Sequence, residues 1–540
     1  MTTSCLVVFG EILLISGCQG QVDAGTNAPP PSDPCLDVTC TGHGTCGVTS
    51  SDVALCACDE GYHALGLDCL SNADPCAGID CSTHGSCDAG ICTCATGYAG
   101  SDCATCAQGY EPQAATCVES STPYPSALPE PFDAAVAYQA ELHVSGAAGN
   151  DDTGDGSAGA PFATIGRAVG DATPGTRVLV AAGTYAGFGW WEGLGGDAES
   201  PIAIVGEGAV IIDGGATEMA GHLVDPHYLV LEGLTIQNAF PHGLNIDDGG
   251  TFDTPAHHVI LRNIAIRNVG DGSNNDCLKM SGVDDFMILG SDISGCNAGE
   301  IIDMVGCHRG LIHGNWFHDT PRNGVQTKGG SADVLIHGNR FSDIVERSVN
   351  AGGSTNLTLI RPLDATHEGA RTQIIANVFE RPGNTPVAFV GCDTCVFANN
   401  TIILPGRYIA RILEEDTERG PGSHGYFINN IIVFDAAGLA GGFVNVGAGT
   451  LPGTYVFGWN LWHALDDPGF TGPTYGSGIP AEVSPVIGDA GLVDRAGGDY
   501  HLQSTSDAIG AATTVPRGVP ADYDGRAYAE PLDIGAFAAP

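Results

Sequence analysis

Asn315-Trp-Phe317 returns 24 residues later as Asn339-Arg-Phe341, and this recurring segment decides the fold. Similar segments, in which β-branched or aromatic residues follow a Gly or an Asn, begin at Gly233, Asn263, Asn377, Asn400, Asn430 and Asn460. Most neighbouring segments are 23, 24 or 30 residues apart. This period predicts a solenoid in which each coil has three short strands and coils stack about 4.8 Å apart. We expect the Asn column to form a hydrogen-bonded ladder inside a turn.

The segments that flank the repeat fit the two ends of such a solenoid. Residues 161–169 predict a short amphipathic helix, and residues 177–181 and 201–206 read as strands. Together with the tail from Asp499 to Phe537, this arrangement closely resembles bacterial proteins of the pectate-lyase-like superfamily. The resemblance covers about residues 141–540. It implies an all-β fold, a right-handed parallel β-helix of roughly ten coils.

Fourteen cysteines between Cys35 and Cys117 indicate a second kind of domain. Twelve of them form two sets with the pattern C-x4-C-x5-C, then C-x-C, then a last Cys after a Gly-aromatic pair. Each segment has too few apolar residues for a core, so cross-links must supply its stability. Spacing alone leaves the connectivity open.

Both sets closely resemble EGF-like modules, here residues 34–70 and 71–104. The resemblance implies the pairs Cys35–Cys46, Cys40–Cys56, Cys58–Cys69, Cys76–Cys87, Cys81–Cys92 and Cys94–Cys103. Residues 105–118 resemble the added loop of laminin-type repeats, which implies a pair between Cys106 and Cys117. The modules would serve as a spacer or as a stalk that contacts an extracellular protein.

The N-terminus resembles a bacterial lipoprotein signal. Residues 6–15 are mostly apolar and lead into Leu14-Ile-Ser-Gly-Cys18. The resemblance implies that residues 1–18 are a signal, that Cys18 is lipidated, and that the protein is exported to the cell surface or outer membrane. A plain secretory signal is the alternative, and many cysteines favour an oxidising compartment in either case. Residues 19–33 read as a tether and the Pro- and Ala-rich residues 119–140 as a linker.

The charge of the chain disfavours two classes of partner. The 19 basic residues face 63 acidic ones, which gives a formal net charge of −44. Nucleic acid and anionic membrane surfaces are therefore poor partners, and we expect no nucleic-acid binding. The only two lysines, Lys279 and Lys328, lie in the middle of the repeat, and nine of the 19 basic residues fall between Arg262 and Arg361. This clustering predicts a local positive field, which an anionic ligand needs.

Four consecutive coils place polar residues at matching positions when they are aligned by their closing glycines. The aligned segments are residues 274–282, 298–306, 322–330 and 346–353. The alignment stacks Asp276 on Glu300. It predicts one column of Lys279, Asp303, Thr327 and Asn350, and a second column of Met280, Met304, Lys328 and Ala351. The polar residues would form one patch on one face of the solenoid.

Carboxylates and cations on one face are what β-elimination of a uronate polysaccharide requires. The uronate carboxylate must be neutralised, and a base must remove the proton next to it. Asn275-Asp276-x-x-Lys279 resembles pectate lyases of this superfamily, which use Asp-bound calcium with a Lys or Arg base, although their full set of calcium-binding Asp residues is missing. We predict three groups of site residues: Lys328, Lys279 and Arg347 in catalysis, Asn275, His308, Gln326 and Asn350 in substrate binding, and Asp276, Glu300 and Asp303 as Ca²⁺ ligands. Lys328 is preferred as the base because its aligned neighbours are apolar and Arg347 is close.

The leading hypothesis is an exported, surface-anchored polysaccharide lyase that cleaves an anionic, uronate-containing polysaccharide. The alternative is a non-catalytic polysaccharide-binding or adhesion protein with an EGF-like stalk, in which Lys279 and Asp303 form a structural ion pair. An inverting polygalacturonase is disfavoured, because only the Asp284-Asp285 pair of its four signatures is present. Among the remaining cysteines, we expect Cys277, Cys296 and Cys307 to be buried apolar residues. Cys392 and Cys395 could form a local disulfide.

Overall fold

The chain forms two compact units, residues 1–121 and 122–540. The computed structural model describes residues 128–540 except 189, 216–218, 252–253, 271–274, 417 and 477. Of the region before residue 128 it describes residues 35, 38–48, 54–59, 61–65, 67–71, 76, 81–88, 91–95, 98–99, 105–106, 110–113 and 116–119. The expected signal with Cys18 and the tether of residues 19–33 therefore lie outside the described residues.

The N-terminal unit is built from short antiparallel hairpins held by disulfides. Its strands are Gly44–Val48, Ala54–Cys58, Tyr62–Leu65, Asp68–Ser71, Gly85–Asp88, Ile91–Cys94, Tyr98–Ala99, Thr105–Cys106, Tyr110–Gln113 and Thr116–Glu119, with 3-10 helices at Cys40–Gly42 and Ser82–His84. The structure contains five of the expected pairs: Cys35–Cys46, Cys40–Cys56, Cys58–Cys69, Cys76–Cys87 and Cys81–Cys92. The expected pairs Cys94–Cys103 and Cys106–Cys117 fall outside the described side chains. The region is disulfide-rich, and the EGF-like assignment stays a prediction.

The C-terminal unit confirms the predicted all-β fold, a right-handed β-solenoid of about 11 turns. One face of it is a ten-stranded parallel sheet. The strands of this sheet are Trp190–Glu192, Gly221–Val224, Leu244–Asp247, Leu278–Ser281, Ile302–Val305, Val325–Lys328, Arg347–Gly352, Thr385–Val390, Ala410–Leu413 and Val444–Val446. We call it the ten-stranded sheet below.

The other two faces belong to one 22-stranded sheet, because its first strands are long enough to run through both. These long strands are Thr176–Ala186, Ile202–Asp213 and His227–Ala239, and the short strand Ala140–Val144 precedes them along one face. One face continues through Ala256–Arg262, Val283–Asp284, Met287–Leu289, Leu311–His313, Leu335–His337, Gln373–Ile375, Val396–Ala398, Tyr426–Ile428 and Val456–Gly458. The other continues through Ala265–Val269, Asp292–Ser294, Trp316–Thr320, Arg340–Ile344, Val378–Glu380, Thr401–Ile403, Ile431–Phe434, Leu461–Ala464 and Val486–Ile487.

The remaining elements are few and short. A three-stranded sheet consists of Ser331–Ala332, Gly369–Ala370 and Cys392–Asp393, and the tail contains the hairpin Leu492–Asp494 and Asp499–Leu502. The helices are the α-helix Ile165–Asp171 and 3-10 turns at Leu357–Leu359, Ala436–Gly438 and Pro452–Thr454. No helix among the described residues combines the length and apolar character needed to cross a membrane.

Inward-facing side chains fill the solenoid with a continuous apolar core. Because side chains alternate across a strand, each strand of the ten-stranded sheet sends every second residue into this core. The residues of one column lie above each other on successive coils, as the stacked Phe341–Phe379 and Phe397–Phe427 rings show. The core therefore fixes which residues of each coil face outward.

The predicted Asn ladder is present at the turn between the two faces of the 22-stranded sheet. It consists of Asn315, Asn339, Asn377, Asn400, Asn430 and Asn460. Each backbone N–H and side-chain Nδ2 donates to the Oδ1 of the next Asn at 2.8 to 3.1 Å. Asn263 is not a member of the ladder. Ile264 holds the ladder position on that coil, and its backbone N–H donates to Ser291 Oγ at 3.1 Å.

Both ends of the solenoid are covered. The α-helix begins after Thr164, whose side chain accepts the Arg167 N–H, and buries Ile165, Ala168 and Val169 at the first coil. The tail packs Tyr500, Leu502 and Phe537 onto outward residues of the later coils. Before the first strand, Asp133 binds Arg262 at 2.6 Å. The second half of the interval 119–140 is therefore packed against the solenoid by an ion pair that composition did not reveal.

The cysteines of the solenoid form two disulfides, one of which was not predicted. Cys277 and Cys296 are buried, as expected, but they form a disulfide with each other. The prediction treated them separately because they lie 19 residues apart, on different parts of one coil. Cys392 and Cys395 form the local disulfide, and Cys307 is a free, buried thiol.

Candidate functional site

The outer face of the ten-stranded sheet brings the predicted site residues into one column. The parallel register places Lys279 beside Asp303, Asp303 beside Gln326, and Gln326 beside Asn350. The sequence alignment had put Thr327 in this column, which is wrong. The chain advances only 23 residues from Asp303 to Gln326, and a slip of one residue turns a side chain to the other face. Thr327 accordingly points into the core and is fully buried.

The same correction moves Lys328 to a different column. Its register partner is Val305, which in turn pairs with Ser281. The predicted neighbours Met280, Met304 and Ala351 are buried core residues instead. Lys328 therefore faces outward, like Lys279, and lies on the same surface as Gln326.

Asp303 holds the ammonium groups of both lysines. Lys279 Nζ binds Asp303 Oδ2, and Lys328 Nζ lies 3.1 Å from Asp303 Oδ1. Asp303 is fully buried, whereas both lysines are partly exposed. Burial lowers the pKa of Lys279, but the carboxylates of Asp303 and Asp276 outweigh burial and raise its pKa above the ordinary value. Lys279 is thus held as a cation at the centre of the site.

Asp276 and Glu300 form a pair of carboxyl groups beside this ion triad. Asp276 is fully buried, and its Oδ1 accepts the Glu300 backbone N–H at 2.9 Å. Burial, followed by the nearby Asp303 carboxylate, raises the pKa of Asp276. Burial and the hydrogen bond to Asp276 raise the pKa of Glu300 to about 7. A carboxyl group of this kind can both give and take a proton near neutral pH.

His242 belongs to the site and was missed by the sequence analysis. Its Nδ1 accepts the Asp276 backbone N–H at 3.0 Å, so the ring proton resides on Nε2. Burial and the Lys279 ammonium lower the pKa of His242 to about 4, which keeps the ring neutral. The available signal was its position two residues before the inward-facing Leu244, which matches Asp276 before Leu278.

Asn323 links the carboxyl pair to Arg347 and was also missed. Its Nδ2 donates to Glu300 Oε1 at 3.1 Å and to Gln326 Oε1 at 2.9 Å. Its Oδ1 accepts the Arg347 backbone N–H at 3.3 Å. Polar residues on four coils are therefore connected by direct hydrogen bonds.

Arg347 lies at the far end of the site. Its guanidinium donates to Asn350 Oδ1 at 2.7 Å and to Glu415 Oε1 at 2.5 Å. Glu415 is exposed, so solvent weakens its ion pair with Arg347. Among the predicted substrate-binding residues, Gln326 and Asn350 lie in this group. Both side chains are buried, so they form the floor of the site.

Two predicted site residues lie elsewhere. Asn275 is buried in the turn before Asp276. His308 lies on the next turn of the solenoid, where its Nδ1 is 3.1 Å from Asp284 Oδ1. Arg361 also binds Asp284, at 2.7 and 2.8 Å, and fastens the loop of residues 353–368 to this turn. His308 therefore lies in a hydrogen-bonded group with Asp284 and Arg361, apart from the group around Asp303.

Glycine allows the loop of residues 353–368 to lie against the site. Gly353 has a φ of 156°, and a Cβ there would lie 3.1 Å from both Gln326 Nε2 and Lys328 Cβ. The buried Glu368 anchors the loop by accepting the backbone N–H groups of Gly329 and Thr355, each at 2.9 Å. The loop thus forms one wall beside Lys328.

The predicted calcium ligands do not gather around one point. Within the part of the chain that the structure describes, the one group of acidic, His or Cys ligand atoms all within 4.8 Å of one another is Cys40, Cys56 and Cys69. Those sulfur atoms are in disulfides. Asp303 meanwhile faces two ammonium groups. The arrangement of Asp276, Glu300 and Asp303 does not fit a calcium ion, and calcium binding stays an untested prediction.

Comparisons with known families agree with the fold. Residues 221–361 match the family model described as a right handed beta helix region. Residues 147–188 match a model described as a protein of unknown function, DUF1565. None of the curated proteins matches the chain.

Three solved structures illustrate the likeness. Pectate lyase Pel9A is 14% identical, with 75% of this chain and 98% of that chain covered and a TM-score of 0.48. An alginate lyase from Paenibacillus sp. str. FPU-7 is 18% identical, with coverages of 53% and 96% and a TM-score of 0.38. The GH136 lacto-N-biosidase from Eubacterium ramulus is 15% identical, with coverages of 60% and 68% and a TM-score of 0.35. Likeness at these identities concerns the fold alone, so we infer function from the site residues.

Proposed function

We propose that the protein is a polysaccharide lyase that cleaves a uronate-containing polysaccharide by β-elimination on the outer face of the ten-stranded sheet. The observation that carries this proposal is the convergence of the only two lysines of the chain on one buried carboxylate, Asp303. In a protein of net charge −44, a partly exposed pair of ammonium groups is a specific place for an anionic sugar.

Each chemical demand of β-elimination has a counterpart in the site. The ammonium groups of Lys279 and Lys328, with the Arg347 guanidinium, can neutralise the uronate carboxylate and so acidify the adjacent C–H. Asp303 orients both ammonium groups before substrate binds. Because the Asp303 and Asp276 carboxylates raise the pKa of Lys279, the geometry supports Lys279 as a cation. The prediction that Lys328 acts as the base stays open to the experiments below.

We also propose that the protein is exported and anchored to a membrane. Five disulfides in the N-terminal unit and two in the solenoid favour an oxidising compartment. We place the protein at the cell surface, held through a lipid on Cys18, with the disulfide-rich region as a stalk. Labelling cells with a radioactive fatty acid and comparing wild type with Cys18→Ala tests the anchor. Unchanged labelling of the Cys18→Ala variant would contradict it.

The test of the activity is a substrate screen with the full-length chain. Pectate, alginate and glycosaminoglycans are incubated with the protein, and the ultraviolet absorbance of the unsaturated uronide is followed. Each polymer is paired with a carboxyl-reduced version, which removes the charge but keeps the glycosidic bonds. We expect absorbance to grow with one native polymer and not with its reduced partner. New reducing ends without absorbance would show hydrolysis and contradict the lyase assignment.

A non-catalytic polysaccharide-binding protein is the second candidate. Its supporting observation is that both lysines already have a partner in Asp303, as in a structural ion triad. Retention of a polyuronate in affinity electrophoresis, with neither absorbance nor new ends, would favour this candidate.

A further inference from the structure

A second group of cations lies on the outer face of the ten-stranded sheet, beyond Arg347. Arg411 faces outward from the strand Ala410–Leu413, of which Ala410 and Ile412 belong to the core. The register places Arg411 beside Ala388, and Ala388 beside Asn350. Since neighbouring strands are about 4.8 Å apart, Arg411 lies about 10 Å beyond Asn350 along the axis of the solenoid.

Tyr408, in the turn before this strand, carries two guanidinium groups against its ring. The Arg407 Cζ lies 5.1 Å and the Arg411 Cζ lies 5.5 Å from the ring centre. Such cation–π contacts hold guanidinium groups in place without neutralising their charge. We call Arg407, Tyr408 and Arg411 the arginine patch. Arg407 is exposed and Arg411 is partly exposed, so a ligand on this face can reach both.

The arginine patch has no carboxylate partner among the described residues. No acidic side chain there lies within 4.0 Å of the nitrogens of Arg407 or Arg411. Arg411 Nε donates to Asn445 Oδ1 at 3.0 Å, and this partner is uncharged. Glu415 acts on Arg411 from a greater distance and forms its ion pair with Arg347, at 2.5 Å. Burial, followed by the Arg347 guanidinium, lowers the pKa of Arg411, as expected for a cation that lacks a counter-charge.

An arginine without a carboxylate partner is notable in so acidic a chain. The chain has 63 acidic and 19 basic residues, and the partly buried Arg262 and Arg361 both bind carboxylates. The arginine patch instead presents two guanidinium groups to solvent on the face that carries the lysines. A guanidinium group matches the two oxygens of a carboxylate, so a carboxylate of the ligand can supply the missing counter-charge.

We propose that the arginine patch is a second subsite for the polyuronate, where it binds a carboxylate several sugars away from the one that the lysines bind. The proposal rests on the proposed function, because it takes a uronate polysaccharide as the ligand. It adds a requirement for chain length: a ligand that reaches both positions should bind more tightly than a shorter one.

The distance between the two positions sets the expected length of the ligand. Lys328 and Arg411 lie on strands that are three steps apart in the ten-stranded sheet. At about 4.8 Å for each step, these strands are separated by about 14 Å along the axis. One sugar of an extended chain is about as long as one step. A disaccharide bound at the lysines therefore cannot reach the arginine patch, whereas a hexasaccharide can.

The experiment compares wild type with Arg411→Met and Arg407→Met in the full-length protein. The probes are oligogalacturonates and oligomers of alginate, from disaccharides to octasaccharides. Calorimetry measures the dissociation constant of each oligomer, and kcat/KM replaces it for oligomers that wild type cleaves. Arg267→Met is the matched control, because Arg267 is an exposed arginine of the solenoid that lies on another face, in the strand Ala265–Val269.

We expect the affinity of wild type to rise about 10- to 100-fold once the oligomer spans both positions, which is the effect of one added hydrogen-bonded charge pair. Arg411→Met should lose this rise, and Arg267→Met should keep it. Arg407→Met should lose part of it. Because the Arg407 side chain is exposed, this variant decides the question even if Arg411→Met folds poorly.

The outcomes separate the subsite from the proposed function. A rise that is lost in the patch variants and kept in Arg267→Met supports the subsite, and the same pattern in binding without cleavage supports it for the non-catalytic candidate. An equal rise in wild type, Arg407→Met and Arg411→Met overturns the subsite and leaves the lysine site untouched. If wild type neither binds nor cleaves any of the oligomers, the proposed function fails and the subsite fails with it.

Discussion

The Asn ladder and the charged residues of the ten-stranded sheet are both rows of polar side chains on successive coils, but they are built in opposite ways. The ladder repeats one residue type, and its members from Asn339 to Asn460 are completely buried. The second row consists of Asp276, Lys279, Glu300, Asp303 and Lys328, which lie at neighbouring register positions on three successive coils and which we call the charged column. It mixes acids and bases and is partly exposed. Repetition satisfies every hydrogen bond in the ladder. The mixture leaves a buried Asp276 oxygen without a donor and a Glu300 carboxyl with a raised pKa.

Under the proposed function, this contrast separates a structural column from a functional one. A repeated Asn stabilises each turn in the same way, so no single coil of the ladder differs from its neighbours. A column that changes residue type at every coil creates one place along the axis that differs from all others. Perturbed carboxyl groups at such a place are typical of functional sites.

The largest effect on stability should come from breaking the ion triad. Asp303→Ala removes the carboxylate that two largely buried ammonium groups share and leaves only Asp276 near Lys279, so we expect a loss of about 3–5 kcal/mol in the free energy of unfolding. Asp171→Ala removes the exposed partner of Arg167 and serves as the control, with an expected change below about 1 kcal/mol. Urea unfolding measures both. Similar losses for the two variants would mean that the triad is no more than a surface contact.

Breaking the Asn ladder should have the next largest effect, and it should leave the active site intact. Asn377→Ala removes the acceptor of the Asn339 N–H and Nδ2 groups, at 2.8 and 3.0 Å. Leaving these groups unsatisfied should cost about 2–3 kcal/mol in urea unfolding. The exposed Asn297, whose Nδ2 donates to the Gly270 carbonyl at 2.9 Å, provides the control variant Asn297→Ala, which should change stability little. If folded Asn377→Ala lost polyuronate binding, the ladder would not be purely structural, which would contradict the comparison.

The pH dependence of stability sharpens the same comparison. The pKa of Glu300 rises from 4.5 to about 7 on folding, so its contribution to stability is complete below pH 4.5 and is lost as the pH rises through 7. Glu300→Gln removes this loss, and between pH 5 and 8 wild type should fall relative to the variant by about 1–3 kcal/mol. Thermal or urea unfolding across this range measures the difference. If the free energy of unfolding had the same pH dependence in both proteins, the pKa of Glu300 would not be raised on folding.

The smallest change tests the role of Arg347. Arg347→Lys keeps the charge but loses the planar pair of donors, so stability should change by less than about 1 kcal/mol. KM for the polyuronate should rise about tenfold, which corresponds to the loss of one charge-assisted hydrogen bond. The exposed Arg340 gives the control Arg340→Lys. An unchanged KM would remove Arg347 from the substrate site.

The sequence predicted the solenoid and the Asn ladder because both depend on repetition, which is visible without coordinates. It also found Lys279, Asp303, Asp276 and Glu300, whose coils share the same length. It failed at Thr327 and at the neighbours of Lys328, because a coil shorter by one residue reverses the faces and nothing local in the sequence marks this. His242 was missed because its link to Asp276 crosses 34 residues.

We propose that the charged column is an active site for polyuronate cleavage. The most direct measurement is the rate of unsaturated uronide release by wild type and by Lys328→Met, which leaves the Lys279–Asp303 pair in place. Arg381→Met, which breaks an exposed ion pair on another face, is the control. The account predicts release by wild type, an equal rate for the control, and at least about 100-fold slower release by Lys328→Met, equivalent to about 2.7 kcal/mol. A wild-type rate in both Lys328→Met and Lys279→Met, or no release by wild type on any polyuronate, would contradict it.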